Sequence, residues 1–255
     1  MKTSRSHSRA ISSSGGDELS LQDFSNYQQR QQHEHKNGFL KIQSCCARAL
    51  SDGYAYAWID TVCIDERSSA EITEAINSMY HWYAKAAVCY AYLEDLASEK
   101  ESVPLSSDLK RCRWFTRSWT LQELIAPKTV IFFNKSWDVI GERKHLAHQL
   151  SSITGIDCKA LLGNPIRMFS IASRISWASR RETTRAEDLG YCLLGIFGIN
   201  MPLLYGEGGQ RAFFRLQHEI LCNSNNQSIF AWSIPQSSLG TASLWSPLTS
   251  SPSFF

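Results

Sequence analysis

The fold turns on YAYAWIDTVCIDERSSAEITEAINSMYHWYAKAAVCYAYL, residues 54–93. Tyr54–Asp60 and Ala87–Leu93 are compact aromatic and aliphatic runs without glycine or proline, which reads as two strands. Between them, Ser68-x-x-Glu71 has the spacing of a capping box, in which the serine and the glutamate each satisfy an orphan N–H of the first helical turn. Ile72, Ala75, Ile76, Met79, Trp82 and Tyr83 then recur at helical spacing. The stretch therefore predicts strand, loop, amphipathic helix, strand.

Working outward, Phe39, Ile42, Cys45/Cys46 and Ala49/Leu50 mark another helix, with Gly53 as its stop. Downstream, RCRWFTRSWTLQELIAP (111–127) predicts a helix ended by Pro127, and KTVIFFN (128–134) a third strand. Helices alternating with strands imply an α/β fold with a parallel sheet. Strands that read as near-continuous apolar runs fit a sheet covered by helices on both faces. Ligands of such sheets bind beyond the carboxyl ends of the strands, which is where Asp60, Cys63, Asp65 and Glu66 fall.

Past Ser136 the character changes. His145–Ile153, Ser170–Arg180, Arg185–Phe197 and Gln210–Leu221 predict helices, and Ser228–Ser233 a last strand. The expected division is a disordered leader at 1–16, an α/β core at 17–135, a mainly helical extension at 136–235 and a Ser/Pro-rich tail at 236–255.

The 255 residues are 43% hydrophobic and 20% charged, ordinary for a chain that buries a core. A net charge of +2 and the lack of a basic stripe argue against nucleic acid as a partner. No apolar stretch reaches the ~18 residues a membrane span requires. The eight cysteines contain no CxxC, and no secretory signal is evident. Buried thiols in a reducing, cytoplasmic compartment are the expectation, with no metal. The pairs His33/His35 and His145/His148 lack cysteine partners at zinc spacing and read as solvated.

The chemistry concentrates at Glu123. It is a lone carboxylate among Leu121, Leu124 and Ile125, four residues after Trp119 and therefore on the same helix face. A carboxylate in such a setting is either paired or at work, because an uncompensated buried charge is costly. Asp60 and Asp65 flank Cys63, and two readings stay open: a polar strand-end loop that holds a sugar, or helix capping with a solvated turn. Cys63 has no sequence-evident histidine base. Gly206-Glu207-Gly208-Gly209 lacks the ending of a phosphate loop and reads as a flexible helix entry. Arg180, Arg181 and Arg185 with Glu182, Glu187 and Asp188 read as a solvated face or a docking network.

Three segments carry a resemblance: YAWIDTVCIDERSSAEITEAINSMYHWYAKAAVCYAYLEDL (56–96), CRWFTRSWTLQELIAPKTVIFFN (112–134) and SWASRRETTRAEDLGYCLLGIFGINMPLLYGEG (176–208). Together they resemble the fungal heterokaryon-incompatibility (HET) domain family, over roughly residues 17–235. The resemblance implies a part in non-self recognition and the cell death that follows fusion of unlike hyphae. SWTLQEL (118–124) is also similar to the glutamate helix of TIR domains, with Thr120 where those have cysteine. That likeness implies a flavodoxin/TIR-like architecture. It further implies cleavage of the nicotinamide–ribose bond of NAD, as substrate rather than cofactor, with Glu123 catalytic. Trp119, Asp60, Asp65 and Cys63 are the candidate substrate-binding residues. The alternative is a non-enzymatic adaptor that self-associates in response to a protein trigger. In that reading Glu123 is a structural ion-pair partner of Arg113 or Arg117.

One departure stands out. HET domains usually open with a strand similar to YAILSHTWG, where this chain has RSHSRAISSSGG (5–16). In a flavodoxin-like order the first strand is central, so either Ser8–Ser14 makes a poor substitute strand or that strand is missing or degenerate here. A degenerate, inactive copy is therefore a further alternative.

Overall fold

The computed structural model describes residues 8–10, 18–25, 35–97, 105–233 and 246–255, with 8–10 and 105–106 given by backbone alone. Most of the expected leader, His33, Asp17, the loop around Pro104 and residues 234–245 lie outside the described residues. The chain groups into two compact units. One comprises Met1–Trp114 and Ala126–Leu146, the other Phe115–Ile125 and Ala147–Phe255.

In chain order the elements run β1 (Ser8–Ala10), α1 (Leu21–Ser25), α2 (Asn37–Ser51), β2 (Ala57–Trp58), α3 (Asp60–Cys63), α4 (Ser69–Lys85) and β3 (Val88–Tyr92). They continue with α5 (Leu105–Leu109), α6 (Thr120–Ile125), β4 (Val130–Phe133) and β5 (Val139–Glu142). The rest is helical: α7 (Ala147–Thr154), α8 (Cys158–Leu161), α9 (Ile171–Ser176), α10 (Asp188–Tyr191), α11 (Leu194–Phe197) and α12 (Gly209–Asn223).

The first unit is mixed α/β. Its three longer strands form a mixed ladder, with β3 parallel to β4 (Cys89 opposite Val130) and β4 antiparallel to β5 (Phe132 opposite Gly141). The short strands β1 and β2 extend it, giving the order β2-β1-β3-β4-β5. Every residue of β3 is buried, as its unbroken apolar run requires. The poor strand former Ser8–Ala10 sits between β2 and β3, parallel to both, so part of the expected leader serves as a three-residue strand.

Three sequence expectations are corrected. The sheet is not wholly parallel, and β5 was not foreseen. The link from Phe133 to Val139 is far shorter than the dozen or more residues a parallel crossover needs, so β5 must return antiparallel. Asn134 builds that turn: its Oδ1 accepts the N–H groups of Ser136 and Asp138, both at 2.9 Å. Trp137 sits inside it at φ 63°, stacked on Tyr92 with ring centroids 5.0 Å apart. Third, the strand expected at Ser228–Ser233 is a 3-10 turn at Gln227–Phe230, capped by the Asn226 side chain.

The capping box forms in altered shape. Ser68 Oγ accepts the Glu71 N–H at 3.2 Å, but Glu71 Oε1 accepts from Asp65 N at 2.9 Å. The buried face of α4 is Ala75, Ile76, Met79 and Tyr83, close to the predicted stripe. Helix α2 ends at Gly53, whose φ of +85° favours glycine. The core joins Leu19, Ile42, Cys45, Ala49, Ile59, Val62, Val88, Tyr90, Tyr92 and Phe133.

In the second unit, α10 and α12 pack closely. A Cβ on Gly190 would lie 3.3 Å from the Ala212 and Phe213 backbone, so a side chain there would force the two helices apart. The final residues are tied down as well: Gln217 Nε2 donates to Thr249 O at 2.7 Å, and Thr249 N donates to Gln217 Oε1 at 3.1 Å.

Candidate functional site

Helix α6 is a single turn and a half, too short to be stable alone. All six of its residues are buried, and side-chain hydrogen bonds anchor it within the second unit. The segment before it pairs with Glu182, whose N–H donates to Thr116 O at 2.6 Å and whose carbonyl accepts from Ser118 N at 3.0 Å. Gln122 Nε2 donates to Cys192 O at 2.7 Å. The Trp119 indole N–H donates to Asp188 Oδ2 at 3.1 Å, while the Tyr205 hydroxyl donates to Asp188 Oδ1 at 2.8 Å. Asp188 is buried, and desolvation raises its pKa against those two donors.

Glu123 is 2% exposed and Arg181 6%. Arg181 Nη1 donates to Arg117 O at 2.6 Å and to Thr120 Oγ1 at 2.8 Å, and its Nε donates to Trp177 O at 3.2 Å. Burial pulls the Arg181 guanidinium down to about 10, opposed by the nearby Cys192 thiol and the Glu123 carboxylate. Arg181 therefore joins the Arg113 and Arg117 of the sequence reading as a cation whose charge bears on Glu123. Burial also pushes the Cys192 thiol up to about 12, which keeps it protonated at neutral pH.

The mixed-sign cluster splits inward and outward. Arg181, Glu187 and Asp188 are buried, whereas Arg180, Glu182 and Arg185 are exposed. Glu187 Oε1 accepts the N–H groups of Gly206 at 2.9 Å and Gly208 at 3.0 Å. Those two glycines, at φ +100° and +85°, form a concave pair of donors of the kind that binds anions. An internal carboxylate already fills it, which explains physically why this glycine-rich turn is not a phosphate loop. A Cβ on Gly209 would lie 2.6 Å from Ala186 O, so only glycine lets the turn approach Ala186, the neighbour of Glu187, this closely.

Of the five residues marked by the sequence, Trp119 and Glu123 belong to the second unit, and Asp60, Cys63 and Asp65 to the first. Asp60 opens α3 and accepts from Thr61 N at 2.9 Å. Cys63 is exposed, and its Sγ accepts from Ile59 N at 3.5 Å. Asp65 Oδ1 accepts from Gln22 Nε2 at 2.7 Å, Arg67 N at 3.0 Å and Arg67 Nε at 3.2 Å. Arg67 is the chief cause that draws the Asp65 carboxyl down to about 2. A depressed carboxyl contributes stability that is present above its unfolded value of ~3.9 and is lost as pH falls through the folded value. NMR titration is expected to place Asp65 near 2, and Arg67→Ala to move it upward. An Asp65 midpoint near ~3.9 in the parent would remove this turn's role.

Sequence reasoning grouped Arg181, Glu187 and Asp188 but missed the partners Thr120, Gln122 and Tyr205 among the buried polar groups of this unit. Among the described residues, no three His, Cys, Asp or Glu side chains are gathered as metal ligands. Nor is any described helix long and apolar enough to cross a membrane.

A mixed α/β unit joined to a helical unit that buries an acidic and basic network is what the structure defines. The family model of heterokaryon incompatibility protein (HET) matches residues 9–107. Vegetative incompatibility protein HET-E-1 of Podospora anserina is 46% identical over 189 residues, which is 72% of this chain and 14% of that protein. The chain belongs to the heterokaryon-incompatibility (HET) domain family. It thus spans a small part of that relative's length. No solved structure matches it.

Proposed function

We propose that the chain is a signalling module of heterokaryon incompatibility, acting in the cytoplasm in non-self recognition and the cell death that follows. It works by association with itself and with a protein trigger, and Glu123 holds the helical unit together. The observation that carries this reading is the burial of Glu123, which is only 2% exposed. A carboxylate that stabilises a ribosyl cation must touch the ribose. A carboxylate this enclosed has no open surface to offer a ribose.

NAD hydrolysis is the second reading, favoured by the partly exposed Trp119 one turn before Glu123. There Glu123 would stabilise the oxocarbenium-like ribose as nicotinamide leaves, with NAD as the substrate. A flavodoxin/TIR-like ancestry of the sheet belongs to this reading, and the order β2-β1-β3-β4-β5 supports it. The degenerate-copy alternative rests on the three-residue β1.

The test is nicotinamide release by the full chain and by Glu123→Gln, each checked for folding by circular dichroism. The module reading expects no release from the folded parent and a less stable variant. Release by the parent that disappears in a folded Glu123→Gln overturns it in favour of hydrolysis. Sedimentation separates the module from an inactive copy: concentration-dependent assembly supports the former, and a monomer at every concentration the latter.

A further inference from the structure

Outside the Glu123 network, the second unit holds a thiol and an imidazole in contact that nothing above uses. Cys158 Sγ lies 3.7 Å from His148 Nδ1, between residues ten apart in the chain. The geometry is held by a packed helical hairpin. Helix α7 buries Leu150, α8 buries Ala160 and Leu161, and Ile156 between them is fully buried. Thr154 Oγ1 accepts from Ile156 N at 3.3 Å, and the Asp157 side chain caps α8 through Lys159 N at 2.7 Å. Gly155, at φ +73°, makes the sharp turn possible. The pair itself faces water: His148 is exposed and Cys158 partly so. A thiol and a base in contact, fixed by a rigid frame and open to solvent, form an activated nucleophile.

A second pair serves as a contrast. Cys222 Sγ lies 3.8 Å from His218 Nδ1, but both lie on one helix face near the carboxyl end of α12. There the helix dipole disfavours a thiolate. No tertiary frame holds that pair, because the two residues are joined only by their own helix.

We infer that Cys158, with His148 as its base, is a site of covalent thiol modification by low-molecular-weight disulfides of the glutathione type. In the tautomer that carries its proton on Nε2, His148 accepts the Cys158 proton at Nδ1. The thiolate attacks one sulfur of the disulfide, whose S–S bond breaks as the Cys158 mixed disulfide forms. The leaving thiolate takes the proton from the imidazolium. Cys158 is oxidised, one half of the disulfide is reduced to its thiol, and no other reagent is consumed.

The experiment incubates the full chain with oxidised glutathione and follows each cysteine by peptide mass mapping, with the exposed Cys63 and Cys222 as internal references. Cys158 is expected to react first at neutral pH. His148→Gln is expected to slow Cys158 about tenfold at pH 7, since only a few per cent of an ordinary thiol is ionised there. Cys63 and Cys222 should keep their rates in that variant. Both substitutions, His148→Gln and Cys158→Ser, lie at exposed or partly exposed positions, and circular dichroism checks their folding. Equal rates at Cys158 and Cys63, no effect of His148→Gln, or a uniform slowing of all three thiols would each overturn the assignment.

Discussion

Arg181→Met is expected to destabilise the helical unit by about 3 kcal/mol, from three buried acceptors that lose a common donor at ~1 kcal/mol each. Three hydrogen bonds are lost together. The carbonyls of Arg117 and Trp177 and the Thr120 hydroxyl lose a common donor. Glu123, still 2% exposed, also loses the field of a nearby cation. Arg181→Lys should recover little, because an ammonium cannot reproduce a fork that reaches Nη1 and Nε partners together. Glu123→Gln in the Arg181→Met background is expected to be less harmful than in the parent, since it removes the stranded charge. Urea unfolding followed by tryptophan fluorescence would measure the parent and the four variants. Strictly additive costs for the two substitutions would mean that Glu123 and Arg181 do not act as a pair.

Glu187→Ala is the second large effect, about 3 kcal/mol, taken from two hydrogen bonds to a charged acceptor at ~1.5 kcal/mol or more each. The N–H group of the exposed Gly206 would then turn to water, and that of the partly buried Gly208 would lose its carboxylate acceptor. Glu187→Gln keeps an oxygen at the same place and should cost about 1 kcal/mol, the worth of a neutral bond. The Glu187 carboxyl is held below its usual range by its own backbone N–H first, then by Gly206 and Gly208. Its contribution is therefore full above the unfolded value of ~4.3 and fades as pH drops through the lower folded value. Urea unfolding and protease sensitivity of residues 202–208 would report both variants. Equal behaviour of the alanine and glutamine variants would show that the carboxylate does not hold this turn.

How much of this was legible depends on range. Strand β3 and helix α4 announce themselves because their signals are local: an unbroken apolar run, and a period that leads with Ser68. Strand β2 shrinks to Ala57–Trp58 because Asp60 already begins a helical turn. Strand β5 was invisible because VIGE has neither length nor alternation. Its pairing is dictated by the Asn134 turn instead. The burial of Glu123 could be read from its apolar neighbours. Its cation could not, because Arg180, Arg181 and Arg185 look alike in sequence. Only the pairing of Thr116 and Ser118 with Glu182 selects which guanidinium turns inward. That contact lies 64 residues away in the chain, beyond any local pattern.

The passage of Phe115–Ile125 into the second unit also has a consequence during synthesis. Thr120 meets Arg181 only 61 residues later. At ~5–20 residues per second, α6 leaves the ribosome about 3–12 s before its counter-charge exists. Through that interval a segment rich in tryptophan and leucine, carrying a charge it is destined to bury, has no native surface to join. The emerging chain is thus most vulnerable to chaperones, proteases and wrong partners in the middle of its length, until the SWASRRE segment arrives to close over it.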